Sequence, residues 1–104
     1  MDHGDLDGSD PIVAISSWYS EHCNGDWEHE CGVRISTLDN PGWYIEIDIQ
    51  GTELEGRRSG RATVSEASDS WLQYWSDGKT LCVACGPKAL KSGLAYVAEY
   101  LKKG

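Results

Sequence analysis

Strict alternation over residues 43–49 constrains the fold of this 104-residue chain more than any other feature. Apolar and polar side chains take turns along the segment, with Trp43, Ile45, Ile47 and Ile49 on one face and Tyr44, Glu46 and Asp48 on the other. A period of two with one apolar face is typical of an antiparallel strand that is buried on one side. Residues 31–38 alternate more weakly, and the intervening Asp39-Asn40-Pro41-Gly42 supplies Pro followed by Gly. We therefore predict a β-hairpin closed by a type II turn.

Helices are predicted near both ends of the chain. Asp10 followed by Pro11 is typical of an N-cap and a first helical turn, and apolar residues at helical spacing extend this helix over 11–22. Pro87 is predicted to open a second helix, whose apolar face runs from Leu90 to Leu101.

The segment between the first hairpin and the last helix predicts the remaining strands. Asp77-Gly78 lies between two extended segments, 70–76 and 80–84, and indicates a two-residue hairpin loop. Residues 62–66 are a candidate short strand after a basic loop at 57–61. The predicted fold class is α+β: an antiparallel sheet of four to five strands with an N-terminal and a C-terminal helix packed on it.

The length of the chain predicts one domain, residues 10–104, preceded by a flexible acidic tail, residues 1–9. The tail lacks the apolar core of a signal peptide, and no run of about 18 apolar residues is present to span a membrane. We therefore expect a cytoplasmic protein with reduced cysteines.

Charge is divided unevenly along the chain, whose formal net charge is −8. Residues 1–55 hold thirteen acidic residues and one basic residue, Arg34, whereas residues 56–104 hold four acidic and eight basic residues. Such asymmetry favours a charged partner, and the acidic half argues against nucleic acid as that partner. The alternative is a solvated acidic face that only confers solubility.

Trp27 stands between two carboxylates in the segment Cys23-Asn24-Gly25-Asp26-Trp27-Glu28-His29-Glu30. Turn chemistry accounts for Asn24 and Gly25 but not for a large apolar ring flanked by acidic residues. The pattern indicates an anionic binding surface more than a catalytic pocket. His29 with Glu28 is the catalytic alternative, and it would need a nucleophile or a pocket partner nearby.

Cys82 and Cys85 form a C-x-x-C pair, a spacing that metal and redox sites both use. A tetrahedral zinc site would need two more ligands, which would come from Cys23, Cys31, His22 or His29. These candidates do not form a second C-x-x-C, and a cysteine near the end of a strand also serves as a small hydrophobe. We therefore expect free thiols, no bound metal and no cofactor.

Two sets of strand residues have competing interpretations. Glu46 and Asp48 share a polar face. Three interpretations of this face compete: a partner-binding face, a solvated face, and a metal or acid–base site. The alternation predicts that reversing both charges leaves the fold intact. Trp71 and Trp75 share a strand face with Gln73, and we expect that face to belong to the core of the sheet.

Several blocks of the sequence resemble the immunity protein 53 family. They are Trp18-Tyr19, the Cys23–His29 segment, the Thr37–Trp43 segment, and Asp48 with Gly51-Thr52-Glu53-Leu54-Glu55. The match is close over residues 18–55 and looser over residues 71–101. Asn24 departs from the family pattern, which prefers Asp, and the basic stretch 57–61 departs from it as well. Members of this family are small bacterial proteins that are thought to neutralise polymorphic toxins.

The resemblance implies a protein that binds and neutralises a cognate toxin and has no catalysis of its own. An acidic inhibitor complements a basic toxin domain, such as a nuclease whose site holds phosphate. The predicted partner-binding residues are acidic and aromatic: Asp26, Trp27, Glu28, Asp39, Trp43, Glu46 and Asp48. No catalytic residue, metal ligand, nucleic-acid partner or membrane partner is predicted, and the oligomeric state stays open.

Two other functions compete with this interpretation. One is a small-molecule or metal-binding domain with its site near Trp27, His29 and the cysteines. The other is a small hydrolase that uses the carboxylates.

Overall fold

The computed structural model describes residues 10–102, so the predicted tail at 1–9 lies outside the described residues. In this range the helices are α1 (Pro11–His22), α2 (Trp27–Glu30) and α3 (Leu90–Lys102). Helix α3 begins at Leu90 and not at Pro87 as predicted, because Pro87 lies in the turn before the helix. The strands are β1 (Val33–Leu38), β2 (Gly42–Asp48), β3 (Arg58–Ser65), β4 (Leu72–Asp77) and β5 (Thr80–Cys85). All five strands are antiparallel to their neighbours and form one sheet in the order β1-β2-β5-β4-β3. The predicted α+β class is confirmed.

Helix α1 begins where the sequence predicts. The Oδ1 atom of Asp10 accepts a hydrogen bond of 2.9 Å from the backbone amide of Ile12, and Pro11 occupies the first turn. The cap satisfies one of the amides that every helix leaves without an intrahelical partner at its N-terminus. Ile15 and Trp18 are the residues of this helix that are buried.

The helices lie on one side of the sheet. Helix α3 packs on β2 and β5, and α1 packs chiefly against α3. The core between the sheet and the helices consists mainly of aliphatic side chains from β2, β5 and α3: Ile45, Ile47, Leu81, Val83, Leu94, Val97 and Leu101. The face of the sheet opposite the helices, which we call the open face, carries the polar set of β2 together with Arg34, Gln73, Trp75 and Cys82.

The β1–β2 hairpin forms as predicted, but the predicted type II turn is wrong. That turn requires a positive φ at Gly42, which is not among the glycines with positive φ. Gly42 is instead the first residue of β2, where a Cβ atom would lie 2.5 Å from the carbonyl oxygen of Cys85. Glycine is needed here because the backbone of β5 approaches closely.

The β4–β5 hairpin also forms, with its loop one residue later than predicted. Asp77 ends β4 and Thr80 begins β5, so the two loop residues are Gly78 and Lys79. Gly78 has a φ of +92°, which the first loop position of a type II′ turn requires. Asp77 belongs to the strand, and its Oδ1 atom accepts hydrogen bonds from the amides of Lys79 and Thr80 at 2.9 Å and 2.8 Å.

Strand β3 is longer than the predicted segment 62–66. It begins at Arg58, so most of the basic stretch that was predicted as a loop belongs to this strand, with Arg58 and Ser59 paired to β4. The pairing shifts register twice, between Ser59 and Ala62 and between Thr63 and Ser65. Such irregularities are common at sheet edges, where they discourage pairing with another strand.

The prediction that Trp71 and Trp75 belong to the sheet core is wrong. Trp75 lies on the open face beside Tyr44, and both tryptophans are only half-buried. Leu72, from the other face of the same strand, is buried in the core instead. The helices cover one face of the sheet and therefore leave the other face to aromatic and polar side chains.

The close approach at Gly42 yields a stability test. We expect Gly42→Ala to lower the free energy of unfolding by about 1–3 kcal/mol, because β2 and β5 must move apart to admit the methyl group. Gly60→Ala is the matched control, because a Cβ atom there meets no other atom within 4 Å. Urea denaturation of both variants checks this. Equal stability of the two variants would contradict it.

Candidate functional site

Trp27 is buried at the end of the sheet where α1 and α2 meet the β2–β3 loop. Its side chain is only 9% exposed, and its indole Nε1–H donates a 2.8 Å hydrogen bond to the carbonyl oxygen of Gln50. Its ring packs against three rings of α1, with centroid distances of 5.8 Å to Trp18, 5.8 Å to Tyr19 and 5.7 Å to His22. Trp27 therefore supports this end of the molecule from inside and does not present its ring to a partner.

The acidic residues around Trp27 lie on the elements that it joins. We call this surface the acidic end and define it by six side chains of α1, α2 and the β2–β3 loop: Glu21, Asp26, Glu28, Glu30, Glu53 and Glu55. Residues 10–32 and 49–56 together contain seven acidic residues and no Lys or Arg. The surface therefore has a negative potential that favours a cationic partner.

Glu28 caps the loop between α1 and α2. Its Oε1 atom accepts a 2.9 Å hydrogen bond from the amide of Asn24, and its Oε2 atom accepts a 2.8 Å bond from the amide of Gly25. Its own backbone amide and these two amides hold the pKa of Glu28 below its usual range. Both carboxylate oxygens are thus engaged in holding the loop, which leaves Glu28 poorly suited to act as a general base.

His22 connects α1 to the β2–β3 loop. Its Nδ1 atom lies 2.8 Å from the carbonyl oxygen of Trp18, and its Nε2 atom lies 3.0 Å from Oε1 of Glu53. Both partners are acceptors, so the imidazole makes both bonds only when it carries two protons. Burial alone would lower the pKa of His22, but the Trp18 carbonyl and the Glu53 carboxylate outweigh it and raise that pKa. The raised pKa favours the doubly protonated imidazole, which is the form that makes both bonds.

Asp26 and Glu30 are the α2-region carboxylates that are available to a partner. Both are exposed, and neither side chain makes a hydrogen bond or ion pair within residues 10–102. They flank a shallow depression that Trp27, His29 and Gln50 also line. A cationic group that docks there would meet two exposed carboxylates that pair with no Lys or Arg of residues 10–102.

Glu46 and Asp48 lie together on the open face, as the alternation predicts, but Arg34 pairs with both. Arg34 donates from Nη1 and Nη2 to the two carboxylate oxygens of Asp48 at 3.0 Å and 3.1 Å, and from Nε to Glu46 at 3.1 Å. Asp48 also accepts a 2.8 Å bond from the amide of Gly32. The prediction that both charges can be reversed without effect on the fold therefore needs correction for Asp48, which holds the start of β1 against β2.

The electrostatics of Asp48 follow from these contacts. Burial alone would raise its pKa, but the hydrogen bonds from Arg34 and from the Gly32 amide outweigh that effect and lower the pKa. Asp48 therefore remains ionised at neutral pH, and its charge is balanced within the sheet.

Asp39 and Trp43 lie at the other end of the β1–β2 hairpin from Trp27. Asp39 is exposed in the hairpin turn. Trp43 is half-buried on the helix side, where its indole Nε1–H donates a 3.1 Å bond to the carbonyl oxygen of Pro87. The seven predicted residues thus divide into three groups: Asp26, Trp27 and Glu28 at the acidic end, Glu46 and Asp48 on the open face, and Asp39 and Trp43 near the turn.

The C-x-x-C pair does not converge on one point. Cys82 lies on the open face, where its Sγ atom is 3.3 Å from the Tyr44 hydroxyl, whereas Cys85 is fully buried on the helix side near Gly93. Burial raises the pKa of both thiols, which disfavours the thiolate that metals and redox reactions need. Two sulfurs on opposite faces of one strand cannot bind one metal ion.

An aromatic group on the open face is a feature that the sequence interpretation missed. Trp75 stacks on Tyr44 at a centroid distance of 6.1 Å, and the Arg61 guanidinium lies 4.0 Å from the centre of the Trp75 ring. Arg61 also donates a 3.1 Å bond to Oε1 of Gln73. Gln73 could have indicated this, because a polar residue that shares a strand face with Trp71 and Trp75 favours a face that is open to solvent.

A protein-family model, that of immunity protein 53, matches residues 12–101. The chain belongs to the immunity protein 53 family. The match runs from α1 to α3, so it includes the acidic end, the open face and both hairpins. The resemblance noted in the sequence is thereby confirmed, and membership supports an immunity function. No curated protein and no solved structure gives a significant match.

No helix among residues 10–102 of this immunity protein 53 family member is long and apolar enough to cross a membrane.

Trp27 should be essential for the stability of the acidic end. We expect Trp27→Ala to lower the free energy of unfolding by about 3–5 kcal/mol, because it removes a large buried ring. Trp27→Phe should cost less, since an aromatic ring remains while the hydrogen bond to Gln50 is lost, which is worth about 0.5–1.5 kcal/mol. Chemical denaturation checks both variants. Stability of Trp27→Ala close to that of the wild type would show that the ring is not packed.

The lowered pKa of Asp48 predicts how acid affects stability. A carboxylate with a depressed pKa stabilises the fold above its unfolded pKa of about 3.9, and this stabilisation is lost as the pH falls through the folded pKa. We expect Asp48→Asn to cost about 1–2 kcal/mol at pH 7, with allowance for the exposure of Arg34. The difference from the wild type should shrink below about pH 4. A pH series of urea denaturation curves measures it, and a constant difference would contradict the prediction.

Proposed function

We propose that this protein neutralises a cognate bacterial toxin by binding it, and that the bound surface of the toxin is basic. Family membership supports the immunity function. A nuclease domain is the toxin class that fits best, because its site must hold phosphate and is therefore rich in cations. The protein itself acts by occlusion and performs no catalysis.

The acidic end is the observation that carries the proposal. Its carboxylates belong to α1, α2 and the β2–β3 loop, and Trp27 and His22 bring this loop to the two helices although it lies about 20 residues further along the chain. A potential of one sign speeds the encounter with a partner of the opposite sign and disfavours nucleic acid and anionic membranes as partners. The proposal places the encounter in the bacterial cytoplasm, where a nuclease would reach its substrate.

The predicted contact residues have different roles in this proposal. Asp26 is an exposed contact, and Glu30 joins it. Trp27 and Glu28 shape the surface from within. Glu46 and Asp48 border the acidic end through the bond between Asp48 and the Gly32 amide, and they contribute a partly balanced charge.

Asp39 and Trp43 lie at the other end of the hairpin and belong to the proposed contact only if the toxin extends along the hairpin. Because rim charges mainly change association rates, Asp39 should have a smaller effect on affinity than Asp26.

Charge reversal at the acidic end tests the proposal. We expect Asp26→Lys combined with Glu30→Lys to slow association with a toxin encoded in an adjacent gene by about tenfold or more at low salt, and to reduce the salt dependence of binding. Both side chains are exposed and make no hydrogen bond or ion pair with the rest of residues 10–102, so the fold should be unchanged. Glu66→Lys combined with Glu99→Lys is the control, with the same change in net charge at other exposed positions.

Binding kinetics and survival of cells that co-express the toxin are the measurements. Equal slowing by the two double variants would contradict a role for the acidic end. Failure to bind or protect against any toxin from adjacent genes would contradict the function.

A further inference from the structure

Strand β1 is a regular edge of the sheet without a bulge, and Arg34, its one charged residue, is paired with Glu46 and Asp48 of β2. It pairs with β2 in an unbroken register from Val33 to Leu38, and no described strand pairs with its other side. The opposite edge strand, β3, has two register shifts and carries Arg58 and Arg61. Proteins commonly protect edge strands with such bulges and charges, because a regular edge invites another strand. The backbone of β1 can therefore accept another strand more readily than the irregular backbone of β3 can.

The hydrogen-bond pattern shows which backbone groups are offered at this edge. The amide of Asp48 donates a 3.0 Å bond to the carbonyl oxygen of Gly32, so these two residues are a hydrogen-bonded pair of the β1–β2 ladder. Such pairs recur at every second residue of an antiparallel ladder. The N–H and C=O groups of Val33, Ile35 and Thr37 therefore point away from β2, toward the free edge.

An uncharged apolar groove lies beside the same edge, on the helix side. Ile12, Ile15 and Tyr19 of α1, Val33 and Ile35 of β1 and Leu94 of α3 line it. Ile12 is 63% exposed and Ile35 is 48% exposed, so large aliphatic side chains border the groove without cover. Burial of these side chains against a second copy would be favourable.

The sequence of β1 is complementary to itself in one register. When two copies of β1 pair antiparallel about Ile35, Val33 faces Thr37 of the other copy and Arg34 faces Ser36, so no like charges meet. Pairing about Arg34 would oppose two arginines, and pairing about Ser36 would bring the hairpin turn into the ladder. The Ile35-centred register uses all three outward-facing residues and places the two Ile35 side chains together beside the two apolar grooves.

From these observations we infer that this protein forms a symmetric dimer through antiparallel pairing of β1 with β1 of a second copy, which extends the sheet to ten strands. The contact is isologous, as in most dimers. The groove lining contains no charged residue, so the net charge of −8 on each copy does not prevent the two grooves from meeting. The inference is independent of the toxin.

Sedimentation of the full chain over a wide dilution series tests the dimer. We expect a dimer in the wild type and an increase of about 100-fold or more in the dissociation constant for Ile35→Asp, because the contact would bury two carboxylates together. Val64→Asp is the matched control, since Val64 is 51% exposed on the other edge strand, and it should dimerise as the wild type does.

Thr37→Pro gives a second test that does not depend on a buried charge. The N–H of Thr37 faces away from β2, so its loss should leave the monomer folded, as proline on an edge strand allows, while it blocks pairing between copies. Amide hydrogen exchange should also show protection of Val33, Ile35 and Thr37 that decreases on dilution.

A wild-type chain that stays monomeric at all concentrations would overturn the inference. So would a dimer that survives both Ile35→Asp and Thr37→Pro, or one that Val64→Asp disrupts equally. Protection of the edge amides only in a complex with a toxin would show that a toxin strand occupies the edge, and it would overturn the inference as well.

Discussion

The burial of Trp27 is the contact on which the acidic end depends. The elements that carry its carboxylates repel one another, so an attractive contact must hold them together. The indole ring packs on α1 and its N–H bonds to Gln50, which ties the β2–β3 loop to the helices. His22 adds a contact between α1 and Glu53. The packing of Trp27 and this contact thus offset the repulsion that gives this end its potential.

The elements that sequence patterns predict well are those that local rules determine. The Asp10 cap and Pro11 specify where α1 begins, and the alternation of residues 43–49 specifies both faces of β2, because each rule involves neighbours in the chain. The prediction of a type II turn at Gly42 is wrong because the requirement for glycine there is not local. Glycine is required because the carbonyl oxygen of Cys85 on β5 lies close to Gly42, and the residues that neighbour Gly42 in the sequence do not predict that approach. The pairing partner of the basic stretch at 57–61 is equally non-local.

The open face shows why hydrophobicity alone does not assign a residue to the core. Trp75 was expected in the core because it is large and apolar, but helices cover only one side of this sheet. On the other side the Trp75 ring contacts the Tyr44 ring and the Arg61 guanidinium, and the Tyr44 hydroxyl is hydrogen-bonded to Glu46 and Cys82. The ion pairs of Arg34 with Glu46 and Asp48 balance the charges of these carboxylates on the same face. Such a face is stable in solvent without a second layer.

The sequence predicts which acidic and aromatic residues are candidates for the site, but it does not predict how they are arranged in space. The β1–β2 hairpin separates residues that are near one another in the sequence. A six-residue strand is about 20 Å long, so β1 carries Asp39 that far from the acidic end. An ordinary interface buries about 800 Å² on each partner, which corresponds to a patch roughly 30 Å across. A toxin centred on Asp26 and Glu30 would therefore cover the acidic end and approach Glu46 and Asp48, while Asp39 would lie outside a patch whose radius is about 15 Å. The free edge of β1 begins beside the same surface at Val33, so a second copy paired there would place two acidic ends in one assembly.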